Sequence, residues 1–135
     1  MPSRRCQDEF PDDPVIHNED LMLRRIPPFH IVPDENSGGH RPSSAAFDND
    51  KDGAPMSVYR QTVIESSGGA IERVMKGHAG YALAAISAGD LRSRDQTVHN
   101  NPLPDEPAHA VVCGDKTKGT QRFFSRSAVW VIPPG

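Results

Sequence analysis

The chain has 135 residues, of which 36% are hydrophobic and 6% aromatic, and its formal net charge is −3. That length suits one domain with a small core. The charge excludes a globally basic, histone-like nucleic-acid binder, and no apolar run approaches the ~20 residues of a membrane span.

Residues 1–20 carry six acids (Asp8, Glu9, Asp12, Asp13, Glu19, Asp20) and three prolines. Little apolar surface is available there to offset the entropy of ordering, so the stretch is expected to be a flexible acidic tail. It also lacks the apolar stretch of a secretory signal. Cys6 falls in this tail, and Cys113 ends the apolar run Ala110–Val112. They read as separate thiols, the second buried and inert, with no CxxC spacing for zinc. Without a leader or a disulfide framework, the expected location is cytoplasmic.

A single α+β domain is expected over residues 21–135, with a mixed or antiparallel sheet and one or two short helices. Leu21–Ile26 reads as its first strand, stopped by Pro27 and Pro28. Phe29–Val32 is a second extended piece, and residues 33–43 are turn chemistry around Gly38 and Gly39. Ser44–Phe47 and Met56–Tyr59 read as strands, the latter by alternation. Residues 60–67 are ambiguous. Ala70–Lys76 places apolar residues at 71, 74 and 75, a helical spacing that Gly77 would stop. Tyr81–Ile86 and Ala108–Cys113 are apolar enough for central strands buried on both faces. Between them, Ala88–Arg94 suits one helical turn and residues 95–107 a loop. Lys116–Ser127 reads as a helix with its phenylalanines inward and charges outward, and Val129–Ile132 as a closing strand.

Polar residues gather in two stretches, Arg24-Arg25-Ile26-Pro27-Pro28-Phe29-His30 and Arg41-Pro42-Ser43-Ser44. Neighbours on a strand point to opposite faces, so only one of Arg24 and Arg25 is expected to face a given cleft. A guanidinium can bond two oxygens of a phosphate or carboxylate at once, and serine hydroxyls and glycine-turn amides add further donors. Arg24, Arg25, His30, Arg41, Ser43 and Ser44 are therefore the candidate ligand-binding residues. The plainer alternative is that these arginines pair with Asp34, Glu35 or Asp48 and pin loops. Among the six histidines, His30 and His109 are the candidates for proton transfer, against the ordinary role of bonding a backbone carbonyl.

Asp48-Asn49-Asp50-Lys51-Asp52-Gly53 follows the first half of a calcium loop, but its twelfth position is Tyr59 rather than glutamate. A hairpin turn is expected there, and no metal or other cofactor. The basic segment Lys116–Arg126 with Phe123 and Phe124 reads as an amphipathic cover before it reads as a nucleic-acid surface.

The strings LMLRRIPPFHIVPDEN, RPSSAAF, MSVY, GYALAAI and PLPDEPAHAVVCGDKTKG resemble a set of small bacterial proteins with the motifs RRIPPxH, RPSSAAF and PAHAxVxG. That resemblance spans nearly everything after the tail and implies no particular activity. A fainter similarity to ADP-ribosyltransferase-like toxin domains implies roles for Arg24 or Arg25 and for Ser43, Ser44 or Tyr59. Glu65, Glu72 and Glu106 do not stand where that pattern needs its catalytic glutamate. Three functions follow as expectations: a binding domain for a phosphate-containing ligand or a partner protein; a small enzyme on a nucleotide, NAD or RNA-type substrate; or a subunit pairing through the Val129–Ile132 edge.

Overall fold

The computed structural model describes residues 2–50 and 54–135. Its centre is a six-stranded antiparallel sheet of β1 (Leu21–Ile26), β4 (Met56–Arg60), β5 (Ala82–Ser87), β6 (Thr97–Asn100), β7 (His109–Cys113) and β8 (Val129–Ile132), in the order β6-β7-β4-β1-β5-β8. β2 (Ile31–Pro33) and β3 (His40–Pro42) form a separate two-stranded sheet. The helices are α1 (Pro2–Glu9), α2 (Gln61–Ser66), α3 (Ala88–Arg92) and α4 (Lys118–Ser127). The protein is thus an α+β domain with an antiparallel sheet, richer in helix than expected.

Side-chain alternation along the strands separates two cores. Met22, Ile26, Val58, Ala84, Ile86 and Val112 face Phe47 and Phe124, whose rings meet edge-on at 6.3 Å. Leu23, Tyr59, Leu83 and Ala85 face Ile64 of α2 and Val74. Every residue of Ala82–Ile86 and of His109–Cys113 is buried, as a strand covered on both faces requires.

Several local expectations fail for identifiable reasons. Ser44–Ala46 is a 3-10 turn rather than a strand, because the Ser43 hydroxyl accepts the Ala45 N–H (3.3 Å) and starts a turn. Residues 71–75 are also 3-10, ending before Gly77 at φ +80°. Thr97–Asn100, read as loop, is an edge strand, since its ladder to β7 and the burial of Val98 supply what its polar sequence does not. β8 forms the opposite edge, with Val129 exposed and the Trp130 Nε1–H donating to the His40 carbonyl (2.9 Å).

The first 20 residues, expected as a tail, meet the domain at many points. Ile16 is buried. Arg92 donates to Asp12 Oδ1, Asn18 Oδ1 and the carbonyls of Asp13 and Ile16. The Asp13 N–H bonds the Val98 carbonyl, and the Thr97 hydroxyl bonds the Phe10 carbonyl. Cys6 and Cys113, read as separate thiols, are joined in a disulfide with their Cα atoms 5.6 Å apart. The expected cytoplasmic location rested partly on there being no such bond, and that support is gone. No helix of the described residues is long and apolar enough to cross a membrane.

Candidate functional site

β1 and β4 lie side by side but pair only at Met22↔Arg60 and Leu23↔Tyr59, although both strands run further. Beyond those pairs the strands part, and a hollow of about 510 Å³ opens at the parting. Arg24 and Arg25 both line it, together with His30, Ser57, Tyr59 and Tyr81. The expectation that only one of the two arginines could face a given cleft is therefore corrected. Residues on opposite faces of an unbroken sheet cannot share a cavity, but at a parting both can reach it.

Arg24 is largely consumed by the protein. Its guanidinium donates to the carbonyls of Ala46 (3.1 Å), Ser57 (2.9 Å) and Asp48 (3.4 Å) and pairs with Asp50 (3.2 Å). Burial pulls its pKa below the ordinary arginine value, and Asp50 opposes that pull. Arg25 Nη2 donates to the Tyr59 hydroxyl and Nη1 to the Val74 carbonyl (2.9 Å), and the guanidinium carbon stands 4.9 Å from the Tyr59 ring centroid. Arg25 and Tyr59 thus stand together, whereas Ser43 and Ser44 are not among the residues lining this hollow.

His30 lies beside the exposed Phe29, and partial burial and the nearby Arg24 charge lower its pKa. His109 is buried and sits behind Ser57: its Nε2 is 3.2 Å from Ser57 Oγ and its Nδ1 is 2.8 Å from the Asn101 carbonyl. Neither histidine bonds Arg24, Arg25 or Arg41 among the described residues. Asp48 to Asp50 frame the other wall and pair with Arg24 or hold Lys116, whose Nζ donates to Asn49 Oδ1 (2.6 Å). Burial brings the Lys116 pKa down to about 8. The remaining residues of the calcium-like run, 51–53, lie outside the described residues. Among those described, no group of three or more His, Cys, Asp or Glu could hold a metal ion.

The other candidates lie elsewhere. Arg41 and Ser44 line a second hollow of about 600 Å³, between β3, α4 and β8. Arg122, Ser125, Arg126 and Trp130 complete its main walls, and Asp34 is the carboxylate among its lining residues. Two hydrogen bonds from Ser37 and Asn36 hold the Asp34 carboxyl below its usual pKa, so it is ionised near neutrality. Among the described residues Arg41 makes only long bonds, to the Pro42 carbonyl (3.3 Å) and Ser125 Oγ (3.4 Å). Ser43 joins neither wall. Its N–H donates to the His30 carbonyl (2.6 Å) and its hydroxyl caps the following turn.

The six proposed ligand residues are therefore divided: Arg24, Arg25 and His30 at the first hollow, Arg41 and Ser44 at the second, and Ser43 as a cap. Sequence reasoning missed Ser57, Arg122 and Arg126. The i, i+4 spacing of Arg122 and Arg126 marks one helix face, and the alternation in Met-Ser-Val-Tyr puts Ser57 on the face of Tyr59. The chain matches no protein-family model, no curated protein and no solved structure.

Proposed function

We propose that the protein is a binding domain for a phosphate-containing ligand, held in the hollow between β3, α4 and β8. One observation carries this reading: Arg41, Arg122 and Arg126 converge there from two elements, and no carboxylate lies within 4.0 Å of any of them among the described residues. Guanidinium groups with unused donors in a concave, partly shielded place suit an oxyanion that accepts from several at once. Ser44 and Ser125 contribute hydroxyls to the lining and Trp130 an aromatic side chain. Asp34 subtracts one charge and leaves the cluster positive.

The test is titration calorimetry with inorganic phosphate, pyrophosphate and AMP on the full chain. Binding should weaken by about 10–100-fold in Arg122→Ala or Arg126→Ala, the worth of one charged hydrogen bond. It should weaken further as salt rises. Absence of binding by all three probes, or binding indifferent to both substitutions, refutes the reading.

A further inference from the structure

We propose that Ser57 and His109 form a nucleophile–base pair that cleaves esters by acyl transfer to the Ser57 hydroxyl, at a site separate from the basic hollow. The tautomer of His109 is decided by its partners. The Asn101 carbonyl 2.8 Å from Nδ1 can only accept, so Nδ1 carries a proton. In the neutral ring Nε2 then holds the lone pair, and it lies 3.2 Å from Ser57 Oγ, which must donate to it. This is the proton arrangement that a serine nucleophile and its general base require. His109 is only 7% exposed and belongs to a strand paired with β4 at Tyr59↔His109, so the base is held in place. A backbone carbonyl here orients the imidazole, the part a carboxylate plays in a triad.

The parting of β1 and β4 gives Ser57 a hollow to work in, and Tyr59 lines the same hollow two residues along the same face. The Tyr59 hydroxyl accepts from Arg25 Nη2, and its own proton has no acceptor among the described residues. Burial, opposed by Arg25, raises its pKa, so the phenol keeps that proton near neutrality. A neutral donor polarised by a guanidinium suits the single negative charge that develops on a carbonyl oxygen. A phosphoryl group would ask for guanidinium donors that Arg24 and Arg25 have already committed elsewhere. Arg24, by donating to the Ser57 carbonyl, holds the backbone of the nucleophile.

The step balances without a cofactor. Ser57 Oγ bonds the ester carbonyl carbon while its proton passes to His109 Nε2. The tetrahedral adduct collapses with loss of the alcohol, whose oxygen takes that proton. Water then attacks the acyl-serine, gives its proton to Nε2, and Ser57 recovers it as the carboxylic acid leaves.

The full chain should be treated with a fluorophosphonate and the adduct located by peptide mass spectrometry, with p-nitrophenyl acetate hydrolysis followed in parallel. Ser57 should be modified in preference to every other serine, and Ser57→Ala should abolish both signals. His109→Gln should slow modification at least about 100-fold. Because that site is buried, Tyr59→Phe provides a second variant, expected to slow ester cleavage while melting near the wild-type temperature. A Ser57 that is unmodified, or modified as fast in His109→Gln as in the wild type, overturns the proposal. An unchanged rate in Tyr59→Phe overturns the oxyanion role and the assignment of esters with it.

Discussion

The two hollows are lined by the same kind of side chain put to opposite uses. At the parting of β1 and β4, Arg24 spends its donors on three carbonyls and Asp50. Between β3 and α4, Arg41 makes only two long bonds, and Arg122 and Arg126 make no ion pair among the described residues. A guanidinium saturated by its own chain stabilises the fold; one left unsaturated is available to a ligand. Arg73 and Arg92 belong with Arg24: the first makes a bidentate pair with Glu106 (3.0 and 2.8 Å), and the second gathers residues 12–18. An arginine-rich sequence therefore says little about binding until each donor has been assigned.

That contrast can be broken most directly at Arg24. Arg24→Met should cost about 2–4 kcal/mol, because the Ala46 and Ser57 carbonyls lose a charged donor in a partly buried place. Urea unfolding measures it, and a loss below about 0.5 kcal/mol would mean that Arg24 is as free as the rim arginines.

A smaller effect is expected at Glu106. Burial raises its pKa, but the Arg73 guanidinium and the Ala108 N–H outweigh that, and the net shift is downward. A carboxyl with a lowered folded pKa contributes stability that is present above its unfolded value of ~4.3 and lost as pH falls through the folded value. Stability should therefore drop below about pH 4.3, and Glu106→Gln, costing about 1–2 kcal/mol near neutrality, should flatten that part of the curve. A curve of unchanged shape in the variant would remove Glu106 from the saturated class.

Smallest should be the stability effect at the basic hollow. Arg122→Ala and Arg126→Ala should each unfold within about 0.5 kcal/mol of wild type while losing phosphate affinity. Asp34→Asn, which removes the opposing charge, should tighten phosphate binding. A weaker complex in Asp34→Asn would mean that the carboxylate orients the ligand rather than repelling it.

Much of the sheet was legible because one strand alternates and the two central ones are continuously apolar. Leu21–Ile26, Met56–Tyr59, Tyr81–Ile86 and Ala108–Cys113 announce themselves by burial pattern, and Lys116–Ser127 by its amphipathic spacing. Less was legible where polar groups do the holding. Residues 10–20 look too hydrophilic to order, yet Arg92, 76 to 80 residues away in sequence, satisfies the carbonyls of Asp13 and Ile16 and the Asp12 carboxylate. Thr97–Asn100 carries one core residue, Val98, and only its partner strand makes it a strand. The Cys6–Cys113 bond closes a separation of 107 residues, beyond the reach of any local pattern.

The candidate site divides in the same way. Residue chemistry alone named the arginines and two histidines as candidates and put Arg24 and Arg25 on opposite faces. Strand order, the parting of β1 from β4, the seating of α4 beside β3, and the nearness of Ser57 to His109 belong to the tertiary structure. Local sequence governs which way a side chain leaves its strand or helix, because backbone periodicity is local. Which distant group waits at its end depends on long-range packing, and that packing alone decides whether a charged side chain is spent or free.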